Sequence, residues 1–588
     1  MMRSRCFTAS LVTACLALAS APVWPADIEV EVRGVAGELR DNVLAFLSLN
    51  RFSGYDELDQ DMVDRLGLRA EREAREALRP FGYYAAAVDV QIVPTASGWT
   101  ATVAVEPGEP VLLMAADVVI DGPGRDEPFL AEVLQRSPLR VGQRLRHADY
   151  EQLKGELQRT AASRGYLDAG WTRAEIAVDA ALLEARVTLR LDTRERYRFG
   201  PTLIEQDFLD PDLVQRYLRY REGDWFDAAL LLRTQFALDD SDYFSVVEVL
   251  PDARDREARL APITIRAERN FRHRYKAGVG YATDTGPRLT VGWLNRQLNR
   301  QGHRLYAEGR VAQIERGVQL RYTIPWEDPE LERLAFTLRT GRQDRGDVET
   351  TGTSLEAGLT QVRGRWQRVL FTNIDYAVDR LATQPEPRTD SSAQRNLLVV
   401  PGISYGRLPP GFIRSDDAGR ELYAELLGST GVLGSDSDFL RLRVRNERRF
   451  DLGGPWHLIA RGELGTSAVG DFQELPARYR FFAGGDRSVR GYGFDELSPV
   501  DAAGNKVGGR HLLVASMEIE RDLPRNLVLA VFVDAGNAFN KFGDPLEYSA
   551  GIGLRYRLPF LSVGFDVAQS LSESDRSPRL HLNFTPIF

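Results

Sequence analysis

The sequence predicts three α+β modules followed by a transmembrane antiparallel β-barrel. Three observations predict this fold class. Residues 27–268 alternate between strand-like and helix-like segments, the residues after about 271 alternate in twos, and residues 1–26 have the pattern of a secretory signal. The length of 588 residues agrees with several domains, because one domain averages about 150 residues.

The composition excludes several classes of protein. Hydrophobic residues make up 43% and charged residues 27%, a balance that supports folded structure and argues against a disordered chain. The formal net charge of −9 offers no basic surplus for binding nucleic acid. After the N-terminal segment no run of 18 apolar residues appears, which excludes a polytopic helical membrane protein.

Residues 1–26 are predicted to be a signal peptide. A basic start is followed by an apolar run over 7–18 and then by small residues. Cleavage after Ala21 and cleavage near Ala26 both fit, and a lipoprotein cleavage at Cys15 is a weaker alternative. Both cysteines of the chain lie in this segment, so the mature chain has no thiol for a disulfide or a metal.

Each module is predicted to run in the order strand, helices, strand, strand. In the first module residues 28–32 alternate with period two, and residues 61–78 place small and apolar residues at helical intervals. Residues 85–93 and 99–105 then return to strands. The three modules are expected at 27–108, 109–192 and 193–268.

The unit recurs along the chain. Gly82, Gly165 and, more weakly, Asp242 stand where a helix ends and a strand with an aromatic residue begins. A glycine at this point can adopt a positive φ at the helix C-terminus. A second mark, at Gly142 and Gly223, recurs in the later two modules.

The barrel is predicted from residues 269–588. Leu440, Leu442 and Val444, for example, alternate with arginines. A single strand of this kind would also suit a soluble sheet with one wet face. Charged strand faces, however, occur throughout residues 269–588, and no helix is predicted there to cover the apolar side. This pattern favours a membrane barrel, in which the apolar residues face lipid and the charged residues face a wet lumen. At about 9–11 residues per strand, an even count between twelve and eighteen strands fits.

One connection in the barrel half is too long for an ordinary loop. It runs near residues 484–509, and a structureless connection of this length is uncommon in a compact domain. Its glycines allow the backbone to thread a narrow space. It contains the loop motif Ser488, Val489, Arg490, Gly491 and Tyr492.

A later strand carries a carboxylate toward the lumen. Leu529, Val531 and Val533 form the lipid face of this strand, so Phe532 and Asp534 point inward. A guanidinium in a charged lumen can bind such a carboxylate through two parallel hydrogen bonds.

These features together resemble a known family. The loop motif, the Phe-x-Asp-x-Gly strand at Asp534, the aromatic C-terminal strand 579–588 and the three modules resemble the outer-membrane assembly and secretion superfamily, in which POTRA domains precede a barrel. Residues 278–288 and 299–303 narrow the resemblance to the TamA family, outer-membrane subunits of the translocation and assembly module. The resemblance implies sixteen strands, a barrel in the outer membrane of a Gram-negative bacterium, and POTRA domains in the periplasm.

The resemblance implies a pairing inside the lumen. In this family the arginine of the loop motif pairs with the aspartate of the later strand, here Arg490 and Asp534. Two alternatives stay open: Arg490 as a solvated loop arginine, and Arg443 or Arg461 as the partner of Asp534.

Three further acidic residues point inward by parity, and we expect them to belong to a wet lumen wall without a special role. They are Glu518, Glu520 and Asp566.

The first and last barrel strands are expected to meet in a weakly paired seam, the lateral gate. The first strand contains Gly278 and Gly280, and the last contains Pro586, which lacks a backbone donor, and ends on Phe588. A seam of this kind can lend its edge to an incoming strand, whose unpaired backbone groups cost several kcal/mol each in lipid.

The leading hypothesis is an assembly factor that inserts or translocates autotransporter-type proteins through this gate. The resemblance implies a TamB-like inner-membrane-anchored partner, unfolded outer-membrane or autotransporter substrates and outer-membrane lipid, and it allows a role in phospholipid transport. The alternative is a two-partner secretion pore for a dedicated exoprotein, which three modules disfavour because such pores usually carry two. A passive porin would need no periplasmic modules.

No enzyme, cofactor or metal is expected. The chain has six histidines and no cysteine after the signal segment, so a metal cluster lacks its usual ligands and a catalytic thiol is absent.

Overall fold

The computed structural model describes residues 27–53, 58–96, 98–381, 393–408, 421–558, 561–573 and 575–586. The predicted signal peptide and Phe588 lie outside these residues. The chain divides into two compact units within the third module, one formed by Met1–Gly200, Glu222–Ala229 and Ala253–Ala261, the other by Pro201–Arg221, Leu230–Asp252 and Pro262–Phe588. Over the described ranges, every helix is too short or too polar to cross a membrane.

Three α+β modules precede the barrel, each with one three-stranded sheet. The first contains β1 (Asp27–Arg33), α1 (Glu38–Phe46), α2 (Ser48–Arg51), α3 (Gln60–Leu78), β2 (Ala87–Thr95) and β3 (Gly98–Glu106). The second contains β4 (Leu112–Asp121), α4 (Pro128–Gln135), α5 (His147–Ser163), β5 (Gly170–Asp179) and β6 (Glu184–Asp192). The third contains β7 (Arg198–Glu205), α6 (Pro211–Gln215), α7 (Ala228–Asp239), β8 (Phe244–Pro251) and β9 (Leu260–Arg269).

The last strand of each module lies in the middle of its sheet, in the orders β1-β3-β2, β4-β6-β5 and β7-β9-β8. In the first two modules the opening strand runs parallel to this central strand, because the helices carry the chain across the sheet before it returns. The boundaries at 108, 192 and 268 stay predictions.

Helix α3 shows how the sequence builds a module. The Asp59 carboxylate accepts a hydrogen bond from the Met62 amide at 2.7 Å and caps the helix. Leu66, Ala70 and Ala74, spaced at helical intervals, are buried in the core of the first module. The helix predicted over 61–78 is therefore confirmed.

The recurring marks lie at left-handed positions. Gly82 and Gly165 have φ of +88° and +99° directly after their helices, and Gly142 and Gly223 have φ of +83° and +86°. The third module has Asp242 at φ +65° where the others have glycine. Aspartate tolerates this conformation better than most residues, which explains why the third mark is the weakest in sequence.

Sixteen antiparallel strands close into the barrel, which confirms the strand number that the resemblance implied. The strands are β10 (His273–Ala282), β11 (Gly286–Asn295), β12 (Arg304–Ala312), β13 (Glu315–Pro325), β14 (Glu332–Arg345), β15 (Val348–Arg363), β16 (Trp366–Leu381), β17 (Gln394–Arg407), β18 (Leu422–Ser429), β19 (Phe439–Gly453), β20 (Trp456–Val469), β21 (His511–Leu523), β22 (Leu527–Phe539), β23 (Glu547–Arg557), β24 (Leu561–Ser570) and β25 (Arg579–Pro586).

Strand β22 alternates as the sequence predicts. Leu529, Val531 and Val533 are exposed on the outer face, whereas Phe532 and Asp534 are buried on the inner face. The period of two therefore separates the lipid side from the lumen side.

The third module contacts two connections of the barrel within the second compact unit. Arg219 donates hydrogen bonds to both carboxylate oxygens of Asp328, at 2.8 and 3.1 Å, in the β13–β14 connection. The Tyr243 hydroxyl donates to the Gly302 carbonyl in the β11–β12 connection, where Arg300 also donates to Asp210 at 3.2 Å. These contacts fix this part of the module against the barrel.

Candidate functional site

The candidate site is built by the long connection between β20 and β21. This connection spans residues 470–510, so it begins earlier than the predicted 484. Isolated bridges join Phe481 to Gly509 and Ala483 to Leu497, which folds the segment back on itself. It is therefore an ordered insertion, which we call the inserted loop.

The loop motif begins with a tight backbone reversal. Gly484 and Gly485 both have φ near +100°, and the Gly484 amide donates to the Ser488 hydroxyl at 3.0 Å. A Cβ on Gly484 would lie 2.4 Å from the Gly493 carbonyl oxygen, so this position requires glycine. The reversal leads the chain to Val489, which is fully buried in a small apolar cluster.

Arg490 and Asp534 meet inside the barrel. The guanidinium donates from Nε to Oδ2 at 2.8 Å and from Nη2 to Oδ1 at 2.9 Å, and the Arg490 backbone amide donates to Oδ2 at 3.1 Å. The residues are 2% and 1% exposed. Asp534 thus binds both the side chain and the backbone of the loop arginine.

A second carboxylate also binds Arg490. Glu518 accepts from Nη1 at 2.7 Å, and the guanidinium carbon lies 3.3 Å from the centre of the Phe532 ring. Burial disfavours the charge on Arg490, but the hydrogen bonds and charges of Asp534 and Glu518 outweigh it, so its pKa lies above the ordinary value. Arg490 is therefore a permanently charged, fully paired group.

The lumen wall is more organised than the sequence predicted. Glu518 is 1% exposed and also accepts from Arg555 at 3.0 Å and from Arg461 at 3.2 Å. Asp566 pairs with Arg555 and lies 3.6 Å from Arg490. The expectation of a merely wet wall is wrong for Glu518 and Asp566, because parity reveals a side chain's face but not its distance to a loop from elsewhere in the chain.

Glu520 is paired too, but away from the loop. It is 2% exposed and accepts from Arg449 at 3.2 Å and from Arg557 at 2.9 Å. Its burial contradicts the expectation of a solvent-exposed wall residue. Its partners in the described contacts, however, are arginines of the barrel wall and not residues of the loop motif, as expected for a wall residue.

The two rival arginines have other partners. Arg443 donates to Glu463 at 2.7 Å, and Arg461 donates to Glu518. Among the contacts described for Asp534, the arginine that binds it is Arg490. The alternative of a solvated loop arginine is also wrong, since Arg490 is buried.

The last two motif residues anchor the loop to the end of the barrel sequence. Gly491 has φ of +92°, and its amide donates to His581 Nε2 at 3.0 Å. The Tyr492 hydroxyl donates to Glu547 at 2.9 Å and hydrogen-bonds with the Ser570 hydroxyl at 2.7 Å. The motif thus contacts β23, β24 and β25.

The seam between the first and last strands is thinly paired. β10 pairs with β11 along its length, from His273↔Asn295 to Ala282↔Gly286. Over the described part of β25 its register with β10 consists of Ala282↔Asn583, next to a hydrogen bond from the Thr283 amide to the Leu582 carbonyl at 3.1 Å. Most of the β10 edge therefore has no strand partner among the described residues.

The predicted gate residues lie on either side of this seam. Gly278 and Gly280 are in β10, opposite Thr290 and Arg288 of β11. Pro586 is the last residue of β25, opposite Leu561 of β24. Phe588 lies outside the described residues.

One group in the described residues has the composition of a metal site. Asp284, Asp486 and His581 each place a ligand atom within 4.8 Å of the others. However, the Gly491 amide donates to His581 Nε2, which places the imidazole proton on Nδ1, the nitrogen that faces the carboxylates. A protonated nitrogen cannot bind an ion, so the geometry fits a hydrogen-bonded cluster and not a metal centre. Sequence reasoning missed all three residues, whose only signal was the inward parity of His581.

Two family models match the chain. Residues 29–107 match the POTRA domain TamA domain 1, and residues 418–585 match the Omp85 superfamily domain. The chain therefore carries a POTRA domain and an Omp85 superfamily domain.

A curated relative and two solved structures are similar to the chain. The outer membrane protein assembly factor BamA of Nitratidesulfovibrio vulgaris is 23% identical over 460 residues, covering 72% of this chain and 56% of that protein. The chain thus spans about 56% of the relative's length. The structure of BamA from Haemophilus ducreyi lacking POTRA domains 1–3 is 17% identical, covers 81% of this chain and 99% of that chain, and has a TM-score of 0.67. CdiB from Acinetobacter baumannii is 14% identical, covers 81% and 90%, and has a TM-score of 0.45.

The predicted fold class is confirmed. The chain has POTRA domains followed by a sixteen-stranded, nearly closed antiparallel β-barrel, the fold of the Haemophilus ducreyi structure.

Proposed function

We propose that this chain is a non-enzymatic outer-membrane assembly factor that inserts or translocates autotransporter-type proteins through a lateral gate between β10 and β25. In this proposal the barrel lies in the outer membrane and the POTRA modules in the periplasm. The match of residues 29–107 to the POTRA domain TamA domain 1 supports placing the chain in the TamA family.

The thin pairing of the seam is the observation that carries the proposal. Among the described residues, the edge of β10 presents backbone donors and acceptors that β25 leaves unused over most of its length. A substrate strand entering lipid must satisfy its own backbone groups, each worth several kcal/mol when unpaired. An open strand edge supplies the missing partners by strand addition.

The proposed partners follow from the architecture. Edge strands such as β2 and β5 of the modules are suited to strand addition by an unfolded substrate or by a TamB-like inner-membrane-anchored protein. The proposal also allows phospholipid as a second cargo, transported along such a bridge. Co-purification from cross-linked membranes, compared with a chain lacking residues 27–268, tests for the TamB-like partner.

Reconstitution tests the assembly function directly. The full mature chain in liposomes is expected to convert a denatured autotransporter barrel into a membrane-inserted, protease-resistant form faster than liposomes alone. Equal rates would contradict the proposal.

Single-channel conductance separates assembly from secretion. An assembly factor with an ordered inserted loop is expected to give small, flickering currents. A large, steady pore would instead favour the two-partner secretion pore.

A further inference from the structure

One loop residue bridges the two sides of the seam. The Asp486 backbone amide donates to Asp284 Oδ2 at 2.6 Å, and its carboxylate accepts from His581 Nδ1 at 2.5 Å. Asp284 lies in the β10–β11 connection and His581 in β25. The inserted loop therefore ties the first hairpin of the barrel to the last strand.

The two barrel residues of this cluster are buried. The side chains of Asp284 and His581 are each 2% exposed, and that of Asp486 is 15% exposed. Asp284 Oδ1 is buried without a hydrogen-bond partner in the described structure. A buried carboxylate oxygen with no donor favours a bound proton, because the proton removes the charge and provides a new hydrogen bond.

Nearby charges do not fully neutralise the two acids. Arg579 Nη2 lies 3.5 Å from Asp284 Oδ1 and is the cation in contact with the pair among the described residues. On β24, Asp566 stands opposite His581 but is held by Arg555, and in the loop Glu496 is held by Arg576. With both acids ionised, the pair carries two negative charges against the one positive charge of Arg579.

We infer that Asp284, Asp486 and His581 form a proton-dependent latch that holds the inserted loop across the barrel seam. One proton shared between the two aspartates keeps the loop docked. When that proton leaves, two buried carboxylates repel each other and the loop is released. The latch goes beyond the proposed function by adding a control on the gate, and it rests on that function only for its purpose.

The expected pH dependence of loop docking follows from the pKa of Asp284. Burial, followed by the hydrogen bond and charge of Asp486, raises the pKa of Asp284 from 3.8 to about 6. In Asp486, hydrogen bonds from His581 and Asp284 outweigh burial, so its pKa is lowered. Because Asp284 binds its proton more tightly in the docked state, that proton stabilises docking. The stabilisation is complete at pH values below the ordinary pKa of 3.8 and is lost as the pH rises through about 6.

Distances between two spin labels test the latch in the full mature chain. One label is attached through Arg487→Cys, at an exposed loop residue next to Asp486. The other is attached through Val432→Cys, at an exposed residue in the β18–β19 connection. The mature chain has no other cysteine. Double electron–electron resonance in nanodiscs is expected to give one narrow distance distribution at pH 5 and an additional broad one at pH 7.5.

The difference between the raised and the ordinary pKa of Asp284 bounds how far pH can change the ratio of docked to released loop. A pKa difference of about 2 corresponds to a change of about 100-fold in this ratio, and residual solvent contact reduces that factor. We expect the ratio to fall by at least about fivefold between pH 5 and pH 7.5.

Three variants assign the effect to Asp284. Asp284→Asn is neutral at every pH and keeps a donor for Asp486, so its distribution should stay narrow at both pH values. His581→Gln keeps a donor but cannot titrate, so its pH response should persist. Asp347→Asn is the matched control, because Asp347 anchors the same loop through the Lys506 amide at 2.8 Å but is not a member of the cluster, and its pH response should match that of the unaltered loop.

A distribution that does not change with pH, or an Asp284→Asn variant that changes as much as the unaltered chain, would overturn the latch. Heat-modifiable migration on gels shows that each variant has a folded barrel. The label distances do not depend on assembly activity, so failure of the latch and failure of the proposed function are separate results.

Discussion

The Arg490 guanidinium and the Asp534 carboxylate form two parallel hydrogen bonds, at 2.8 and 2.9 Å, between residues that are far apart in the sequence. Glu518 provides a second carboxylate for the same guanidinium. One buried cation therefore binds two buried anions, of which Glu518 also accepts hydrogen bonds from Arg461 and Arg555. Loss of the cation and loss of one anion should consequently have unequal effects.

Arg490→Ala is expected to be more damaging than Asp534→Ala. Removing the arginine leaves Asp534 and Glu518 buried without this cation, which costs about 3–5 kcal/mol of loop docking. Removing Asp534 leaves Arg490 paired with Glu518 and costs roughly 1–3 kcal/mol. Protease resistance of the inserted loop in the folded barrel measures both losses.

The double variant tests whether the two residues act as a pair. Its loss should be clearly smaller than the sum of the single losses, since each single variant already breaks the same interaction. Arg443→Ala is the control, because Arg443 binds Glu463 and should leave the loop resistant. Additive single losses would show that Arg490 and Asp534 do not couple.

Gly491→Ala is expected to loosen the inserted loop more than Gly504→Ala. Both glycines have a positive φ, +92° and +86°, so both substitutions carry a similar backbone strain of about 1–2 kcal/mol. A Cβ on Gly491 would also lie 3.3 Å from the Ser570 amide nitrogen, whereas a Cβ on Gly504 would meet nothing within 4 Å in the described structure.

Thermal unfolding and loop proteolysis compare the two glycine variants. The alanine at 491 should expose the loop to protease and reduce assembly, and the alanine at 504 should leave both near the unaltered level. Equal effects would mean that the close approach of Gly491 to β24 is not important.

Locking the seam is expected to abolish assembly without unfolding the barrel. Ala282→Cys with Asn583→Cys places two thiols at the register pair between β10 and β25, in a mature chain without other cysteines. The disulfide prevents the strands from separating, and a reductant should restore activity. The measurement is substrate insertion under oxidising and reducing conditions.

A second cysteine pair controls for the disulfide itself. Val533→Cys with Ala550→Cys joins β22 and β23, which are paired throughout, and should leave insertion unchanged. Full activity with the oxidised 282–583 pair would exclude lateral opening as the mechanism.

Arg219→Ala is expected to loosen the third module from the β13–β14 connection. The substitution removes two hydrogen bonds to Asp328 from a largely buried arginine, a loss of about 1–3 kcal/mol. Hydrogen–deuterium exchange of residues 326–331 in the full chain should increase. Arg219→Lys should give an intermediate result, because lysine cannot form the paired geometry.

Arg266→Ala is the matched control for the third module. Its partner Glu205 lies in the same module, and both side chains are exposed, so the pair contributes little. An equal increase in exchange in this variant would show that the Arg219 contact has no special role.

The local features of the fold were predictable because they depend on neighbours in the sequence. The helical spacing of Leu66, Ala70 and Ala74 predicts α3, and the left-handed glycines Gly82 and Gly165 mark the module ends. The alternation around Asp534 assigns its side chain to the lumen. Each of these features follows from a period or from the conformational range of one residue.

The partners inside the lumen were less predictable. Parity placed Glu518 on the inner face but could not show that Arg490 would reach it, because loop position depends on the closed barrel. The resemblance selected Asp534 over the other inward acids, which parity alone could not do. The Asp284, Asp486 and His581 cluster gave still less signal, since its members come from the first hairpin, the inserted loop and the last strand.

The order of modules and barrel, the two faces of each strand and the loop motif could thus be predicted, because all of them arise from local spacing and residue chemistry. Which charges meet depends on the closed barrel, which brings β10 beside β25 and lets the inserted loop contact Asp284 and His581 together. A buried charge is costly unless it is paired, and the partners that Arg490 finds lie too far apart in the sequence for any periodicity to pair them.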